Sequence, residues 1–203
     1  MNAHWIKRKL RIWTRWVRFS RMVAGPERAE KVRKQLLACY QVVNQFLTEA
    51  EVEYFITFGT LLGYHREGDI IKGDEDIDFA TFVPHYENLL SRAHLLPPGY
   101  QLHDTSPAHN GPKLYVSGPM GWEADIYFMR DEGDALRSTA VESNRAHMQP
   151  IGKKLVLPLQ SVTFLEEQTW VPSQVEEWLE HFYGYLGADA VYDPSTCLWR
   201  KKG

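Results

Sequence analysis

A short acidic segment, D-E-D-I-D at residues 74–78, limits what this chain can fold into more than any other feature. An apolar stretch follows it, and the span Asp76 to Val83 predicts a β-strand. Side chains alternate between the two faces of a strand, so Asp76 and Asp78 project from the same face. Carboxylates this close repel each other unless a cation neutralises them. Magnesium or manganese, which take carboxylate and phosphate oxygens as ligands, would do so.

The pair Gly59-Thr60 lies upstream of the acidic segment and predicts a place for a phosphate. Residues 52–58 are typical of a buried strand, and the pair is expected in the turn that follows it. Glycine lets the backbone approach a ligand closely, and backbone N–H groups with a threonine hydroxyl can donate to phosphate oxygens. A Gly-Thr pair alone is common in ordinary turns. Its weight comes from the acidic strand after it, and the combination indicates metal-assisted phosphoryl chemistry.

Two further predicted strands, residues 113–117 and 124–129, flank a Gly-Pro turn and bring Asp125 toward the acidic pair. Asp125 would be the third carboxylate of the site and would accept the proton of an attacking hydroxyl. The alternative is an aspartate at a strand edge that bonds backbone groups. Apolar neighbours on both sides of Asp125 favour a buried strand and therefore a partnered carboxylate.

Two basic residues are candidates for holding a phosphate. Arg66 can offer a planar fork of donors, although a surface salt bridge with Glu67 or Asp69 competes with that role. Lys113 is a weaker candidate of the same kind. The histidines show no metal-ligand spacing and are interpreted as ordinary loop residues; these are His65, His103 and His109.

Taken in order, these motifs resemble the LicD/fukutin family of the nucleotidyltransferase-fold superfamily. The likeness runs through Gly59-Thr60-Leu61-Leu62-Gly63, Arg66, Ile70-Ile71 and residues 74–78. It continues more weakly through residues 122–128, where the family has its third acidic residue, and from Val171-Pro172 to Tyr183-Gly184. One departure affects the pocket beside the carboxylates: Lys72-Gly73 stands where the family commonly has Pro-Trp.

The resemblance implies an α/β fold of the nucleotidyltransferase type, with a small mixed sheet flanked by helices and a helical C-terminal region. It implies a metal-dependent phosphotransferase that moves a phosphorylated alcohol, such as phosphocholine or ribitol phosphate, from a CDP-linked donor. The acceptor would be a sugar hydroxyl of a cell-surface glycan or glycolipid. The implied metal ligands and catalytic residues are Asp76, Asp78 and Asp125, and the implied substrate-binding residues are Gly59, Thr60, Arg66 and Lys113.

Other functions stay open. An EF-hand is excluded because Phe79 and His85 occupy the loop positions that need glycine and glutamate. A D-x-D glycosyltransferase would also hold a nucleotide-sugar phosphate through a metal, but only one predicted helix and one strand precede the motif. Transfer of a nucleotide from a nucleoside triphosphate needs nearly the same metal chemistry. A membrane-attached scaffold or pseudoenzyme is the alternative from a different class.

Residues 1–25, the basic head, contain seven Lys or Arg and no acidic residue. The head therefore carries +7 of a net charge of −3, which leaves −10 on the single catalytic domain predicted over residues 26–203. An acidic body does not favour nucleic acid as a partner. Cys39 and Cys197 lie far apart, which favours reduced thiols.

On a helical wheel the basic residues of the head, except Lys9, separate from Trp5, Trp13 and Trp16. This pattern is typical of a helix that lies on an anionic membrane surface, which predicts a cytoplasmic, peripheral protein on the inner face of a membrane. The alternatives are a helix that packs on its own domain or a subunit, and a mitochondrial presequence. No uncharged apolar run approaches the ~20 residues that a spanning helix needs.

The rest of the chain predicts short elements around this centre. A Ser-x-x-Glu capping box at Ser173 predicts the start of the last helix, and the tail from Gly187 is expected to be irregular. Residues 131–150 are expected to form a surface excursion with some helix. The other predicted elements are helices over 26–50, 86–95 and 173–184, and a hairpin over 161–171.

Overall fold

The computed structural model of the chain describes residues 26–203. Its helices are α1 Pro26–Glu49, α2 Phe58–Glu67, α3 Tyr86–Ser91, α4 Lys153–Val156 and α5 Val175–Tyr183. Its strands are β1 Tyr54–Ile56, β2 Asp76–Phe82, β3 Gln101–Asp104, β4 Lys113–Ser117, β5 Glu123–Asp131, β6 Ala135–Ser138, β7 Ile151–Gly152, β8 Gln160–Phe164, β9 Glu167–Val171, β10 Ala190–Asp193 and β11 Leu198–Lys201. The helix predicted for the basic head lies outside the described residues.

The main sheet has seven strands, in the order β1-β2-β5-β4-β3, with β6 added to β5 and β7 to β6. The β2–β5 pair is parallel, and the other pairs of this sheet are antiparallel. The sheet is therefore mixed, as predicted. Its one parallel pair sets Asp78 beside Asp125 in register, which makes the β2–β5 pair the frame of the predicted site.

Helices pack on both faces of the sheet, and the alternation of β2 decides which side chains meet which helix. Phe79 projects toward α1 and stacks on Tyr40 at 5.8 Å between ring centroids. On the opposite face, Phe55 of β1 meets Trp178 of α5 edge-to-face at 5.4 Å. All four rings are almost fully buried, so apolar burial holds the sheet between these helices. Asp78, one residue before Phe79, projects toward the α5 side.

The prediction of a strand over 52–58 with Gly59-Thr60 in a turn is partly wrong. The strand is Tyr54–Ile56, and α2 already begins at Phe58, so the pair lies in the first turn of a helix. Phe58, the first residue of this helix, has a positive φ of 41°, and only Thr57 separates it from β1. Thr57 occupies the position before the helix but makes no side-chain capping bond. The helix therefore has a preferred N-cap residue type but starts without the hydrogen bond that such a residue usually makes.

Other elements differ in extent or kind. The helix predicted over 86–95 ends at Ser91 and continues as a 3-10 turn at Ala93–Leu95. The capping box at Ser173 is wrong: Gln174 precedes α5 and makes no side-chain capping bond. The N–H of Ser173 donates to the carbonyl of Val156 instead, which ties this residue to the end of α4.

The excursion at 131–150 holds strand β6 and a 3-10 turn at Arg145–Met148. The tail expected to be irregular forms the hairpin β10–β11. This hairpin packs on the end of α5. The backbone of Gly184 lies so close to that of Trp199 that a Cβ would not fit between them. The predicted hairpin at 161–171 is confirmed as β8–β9. Over residues 26–203, no helix has the length and the apolar character that crossing a membrane requires.

Candidate active site

Asp78 is held in place by the first turn of α2. Its carboxylate accepts a hydrogen bond from the N–H of Gly59 at 3.0 Å. Its own N–H donates to the hydroxyl of Thr60 at 2.8 Å. Asp78 and Thr60 are both buried, at 7% and 3% exposure. Gly59 and Thr60, predicted to bind substrate, therefore position a carboxylate in this structure.

Gly59 is required here by proximity and not by an unusual φ. A Cβ at this position would lie 3.0 Å from a carboxylate oxygen of Asp74 and 3.3 Å from one of Asp78. Both distances are tighter than an ordinary van der Waals contact. The glycine thus lets two carboxylates approach the start of a helix, where the backbone N–H groups favour negative charge.

Asp125 has an internal counter-ion. The ammonium of Lys113 lies 2.9 Å from its carboxylate, and the two side chains are 5% and 13% exposed. The same ammonium lies 3.6 Å from the centre of the Tyr127 ring, a cation–π contact. Lys113 comes to this position because it pairs with Tyr127 in the β4–β5 register, two residues along from Asp125. The predicted substrate ligand Lys113 is therefore bound to a predicted catalytic carboxylate.

The site holds more negative charge than Lys113 offsets. Burial raises the pKa of Asp78 well above its usual range, and the carboxylates of Asp76, Asp125 and Asp74 raise it further, while Lys113 opposes them. Burial also raises the pKa of Asp74 to about 6, with Glu75 contributing. A buried carboxylate with these neighbours favours protonation unless a further cation binds.

Within residues 26–203, no group of three or more His, Cys, Asp or Glu side chains is arranged as a ready metal-binding set. The donor chemistry nevertheless fits a hard divalent ion, because carboxylate oxygens converge around an unmet negative charge. Asp76, Asp78 and Asp125 share one face of two neighbouring parallel strands. The kind and placement of these ligands therefore suit a divalent ion, although Asp125 is bonded to Lys113 in this structure.

The hydrogen bond that Arg66 makes does not join it to the carboxylate cluster. It is exposed, and its Nη2 donates to the carbonyl of Leu186 at 2.6 Å, after the end of α5. Asp69, one of the two carboxylates considered as a salt-bridge partner of Arg66, instead forms an ion pair with Arg33 at 2.8 Å. Burial and nearby carboxylates raise the pKa of the Tyr183 phenol, and the charge of Arg66 opposes this rise.

Sequence reasoning left Tyr183 out of the site. Burial raises the pKa of the Tyr183 phenol, and the charges of Asp78, Asp74 and Asp76 raise it further. Tyr183, the last residue of α5, thus lies within electrostatic reach of these carboxylates. The Tyr-Gly pair in the sequence was the available indication of its importance. Asp74, likewise left out although it belongs to the acidic segment, lies against Gly59 and Asp78.

A stacked histidine lies behind the site. The ring of His147 stacks on Phe58 with 4.6 Å between centroids and meets Tyr183 at 5.5 Å. Its Nε2 is buried and makes no hydrogen bond, and burial lowers its pKa to about 4. No local pattern in the sequence indicates this packing, because His147 comes from the polar excursion.

The interpretation of three histidines as loop residues is right for His109 and wrong for His65 and His103, which lie on a helix and a strand. His65 is exposed on α2. His103 lies on β3 with its Nε2 2.8 Å from the hydroxyl of Ser117, and His109 accepts from the N–H of Val141 at 2.9 Å. Both cysteines are free, as predicted, and Cys39 is buried.

Comparison with known proteins gives a family match. The model of the family described as LicD/FKTN/FKRP, nucleotidyltransferase domain, matches residues 51–174. The match includes every site residue predicted above. It ends before α5, so Tyr183 lies outside it.

Sequence relatives are distant and longer. The ribitol-5-phosphate transferase FKTN of Macaca fascicularis is 24% identical over 158 residues, covering 75% of this chain and 33% of that protein. The human FKTN is 23% identical over 158 residues with the same coverage. This chain therefore spans about a third of the length of the curated relatives it matches.

Solved structures show more remote likenesses. The lincosamide antibiotic adenylyltransferase LnuA with bound lincomycin superposes with a TM-score of 0.46 at 11% identity, over 76% of this chain and 87% of that one. ANT(2")-Ia in complex with adenylyl-2"-tobramycin gives 0.42 at 12% identity, over 68% of each chain. Neither likeness is close enough to add to the argument from the site.

Proposed function

Since the chain belongs to the LicD/FKTN/FKRP family, with residues 51–174 forming the family's nucleotidyltransferase domain, we propose that it is a phosphotransferase that modifies a glycan. This membership confirms the family and the fold class that the motifs predicted. The observation that supports the proposal best is the pairing of Asp78 with Asp125 on neighbouring parallel strands inside the matched region. That pairing gives the domain a set of convergent carboxylates.

The proposed reaction transfers a phosphorylated alcohol, such as phosphocholine or ribitol phosphate, from a CDP-linked donor to a sugar hydroxyl. The distant relatives named as ribitol-5-phosphate transferases support this kind of donor. The acceptor would be a cell-surface glycan or glycolipid. The Lys72-Gly73 pair stands beside the acidic segment, so we propose that it contributes to the choice of donor.

Asp76, Asp78 and Asp125 would hold the divalent ion, magnesium or manganese. When bound, such an ion polarises the diphosphate and stabilises charge on the departing CMP. The chain's own residues prepare for this charge. Asp78 is already fixed by Gly59 and Thr60, so little reorganisation of that carboxylate is needed.

Asp125 is proposed to accept the proton of the acceptor hydroxyl. A general base must lie within hydrogen-bond reach of the hydroxyl that it deprotonates. Lys113 orients the Asp125 carboxylate from one side at 2.9 Å, and the other oxygen lies 3.5 Å from the Tyr127 hydroxyl. Lys113 is therefore a positioning residue in this proposal. Arg66, joined to the carbonyl of Leu186, is proposed to reach the donor phosphates only after releasing that contact.

The basic head is proposed to hold the enzyme on the anionic inner face of a membrane, where a lipid-linked acceptor would be within reach. Six of the seven basic residues, all but Lys9, lie opposite the three tryptophans on the predicted helix, which supports this. The −10 charge left on residues 26–203 would be repelled by the same surface. The head would then be the part that makes the contact.

One screen tests the proposal. The full chain is incubated with CDP-choline, CDP-ribitol, CDP-glycerol or nucleoside triphosphates, with magnesium or with EDTA, and CMP and pyrophosphate are measured. Magnesium-dependent CMP release supports the phosphotransferase, whereas pyrophosphate release from a triphosphate supports nucleotidyl transfer instead. Asp78→Asn should abolish either signal. Asp134→Asn is the matched control, since Asp134 is exposed. No metal-dependent release from any donor would favour a scaffold.

A further inference from the structure

The hairpin β10–β11 presents two large aromatic side chains to solvent. Tyr192 is 44% exposed and Trp199 is 42% exposed. The two residues are paired in the strand register, and their ring centroids lie 5.4 Å apart. Paired residues of antiparallel strands project from the same face, and Lys201, two positions after Trp199, shares it. This outer face therefore joins an aromatic pair to a basic residue.

The rest of the hairpin is fastened to the body of the domain. Leu198, which projects from the other face, packs beside Gly184 at the end of α5. The N–H of Tyr185 donates to the carbonyl of Trp199 at 2.8 Å. The backbone of Trp199 is thus fixed while its ring stays exposed. The aromatic face is held outward by contacts of the hairpin and does not depend on burial of its own rings.

The hairpin region also differs in charge from the rest of the domain. Residues 187–203 contain three basic and two acidic residues, a net charge of +1, within a domain that carries −10. The two acidic residues, Asp189 and Asp193, each have a partner inside the chain. Lys201 and Lys202 are exposed. An anionic surface would be attracted to this region and repelled by most of the remaining domain.

Exposed tryptophan and tyrosine beside lysine suit the boundary between water and a lipid bilayer. Both rings have an apolar body and one polar atom, so they are favoured at the level of the headgroups. Lysine adds attraction to anionic headgroups. The centre of a protein–protein interface, in contrast, is usually depleted of lysine. The outer face of the hairpin therefore favours a membrane over a protein partner.

We infer that the outer face of the hairpin β10–β11 is a contact with an anionic membrane surface, separate from the basic head. This inference rests on the proposed membrane role of the protein and adds how the domain is oriented there. One hairpin with a few such side chains would bind weakly alone. Tethered to a head that already lies on the membrane, it would act at high effective concentration.

The same contact would orient the active site. Leu186, between α5 and the hairpin, accepts a hydrogen bond from Arg66 of α2 at 2.6 Å. The first turn of α2 holds Asp78 through the N–H of Gly59. A docked hairpin would thus hold this flank of the site close to the bilayer, where a lipid-linked acceptor lies.

Hydrogen–deuterium exchange of the full chain, read by mass spectrometry, tests the contact. Exchange is compared without vesicles, with phosphatidylcholine vesicles, and with equimolar phosphatidylcholine and phosphatidylglycerol. Peptides from residues 1–25 and 187–203 report the head and the hairpin separately. Trp199→Ala removes the exposed ring, and Lys201→Glu reverses the charge beside it. Each variant is compared with itself without vesicles, so that a loosened hairpin is not scored as a lost contact.

The chain offers a matched control for each variant. Trp170→Ala removes a tryptophan that is 41% exposed on β9. Lys154→Glu reverses a charge at an exposed position on α4. Neither position belongs to the hairpin β10–β11. Both controls should therefore behave like the parent protein.

We expect anionic vesicles to slow exchange of residues 187–203 about fivefold, which corresponds to the about 1 kcal/mol that one lysine near an anionic surface contributes. Phosphatidylcholine alone should not. Trp199→Ala and Lys201→Glu should lose most of this slowing and keep the protection of the head. A protected head with an unprotected hairpin, or full slowing in Lys201→Glu, overturns the inference. Slowing that grows with protein concentration without vesicles also overturns it, since the face would then pair two copies of the chain.

The proposed function can fail independently. Protection of residues 187–203 without protection of residues 1–25 would overturn the role of the head and leave the hairpin as the membrane contact. Absence of metal-dependent CMP release in the donor screen would overturn the phosphotransferase, whereas the vesicle-dependent slowing would still support the hairpin contact.

Discussion

The ammonium of Lys113 lies 2.9 Å from the carboxylate of Asp125, and both side chains are almost entirely withdrawn from solvent. Two charges buried together stabilise a fold only as long as both are present. Asp78, the in-register neighbour of Asp125, is also buried. Lys113 is therefore the internal cation that permits these carboxylates to share one face of the sheet when no metal is bound.

Replacing Lys113 with methionine should destabilise the protein by about 3–5 kcal/mol in EDTA, because a buried carboxylate loses its partner. Magnesium should recover part of this loss by binding the folded state. Urea unfolding with and without magnesium measures both effects. Lys154→Met, at an exposed position on α4, is the control. Equal stability of Lys113→Met and the parent in EDTA would contradict the structural role of the pair.

Asp76→Asn and Asp78→Asn should each lower turnover by about a hundredfold to a thousandfold, the usual cost of removing one group that stabilises transition-state charge. The fold should persist. Burial and neighbouring carboxylates raise the pKa of Asp78, so its negative charge is unfavourable in the folded protein. The amide of Asp78→Asn removes that charge, and thermal stability should therefore hold or increase. Activity and melting temperature are measured in parallel, and near-parent turnover in both variants would remove these residues from the site.

Gly59→Ala should impair activity without unfolding the protein. The added methyl would lie 3.0 Å from an Asp74 oxygen and 3.3 Å from an Asp78 oxygen, so the carboxylates must move. Overpacking of this kind costs about 1–3 kcal/mol. Gly152→Ala is the matched control, since its nearest neighbour would be 3.9 Å away. If the two alanine variants turned over donor equally well, the spacing around Gly59 would not matter.

His147 should make the protein less stable in mild acid. Burial lowers its pKa from 6.5 to about 4, so the unfolded chain binds a proton between these values and the folded chain does not. Stability is then complete above pH 6.5 and falls as the pH drops toward 4, by up to about 3 kcal/mol. His147→Phe keeps a ring against Phe58 and should show a smaller decrease over this range. Unfolding curves from pH 7 to pH 4 check this, with the exposed His65→Gln as control.

Deleting residues 1–22 should release the protein from anionic vesicles and spare activity on a soluble acceptor. Each Lys or Arg near an anionic surface contributes about 1 kcal/mol, and the tryptophans add apolar burial. Co-sedimentation at increasing salt and decreasing anionic lipid measures the contact. Equal sedimentation of the two proteins, or an unfolded truncated protein, would indicate that the head packs on its own domain.

The parts of the site that were predicted from the sequence lie in strands, where side chains alternate between the two faces. Asp76 and Asp78 stand two positions apart at the start of a strand that continues with mostly apolar residues, and Asp125 lies in a second strand with an apolar centre. Period-two patterns with one buried face are the most readable feature of a sheet. The hairpin at 161–171 was also predicted.

The parts that escaped prediction depend on contacts between distant segments. Lys113 becomes a counter-ion only through the β4–β5 register. Gly59 and Thr60 were expected in a turn, whereas α2 begins directly after Thr57, one residue beyond the end of β1. The hairpin β10–β11 exposes most of its side chains, so its pairing comes from the backbone and leaves little pattern in the sequence.

The parallel pairing of β2 with β5 also has a consequence for how the protein folds. Asp78 and Asp125 are 47 residues apart in the chain, and parallel strands cannot be joined by a tight turn. Closing so long a loop is entropically costly and slow, whereas α1 and the β8–β9 hairpin need only local contacts. On refolding, helical circular dichroism should therefore return first. The capacity for catalysis should return last, because the chain completes its most distant pairing at the place where the carboxylates meet.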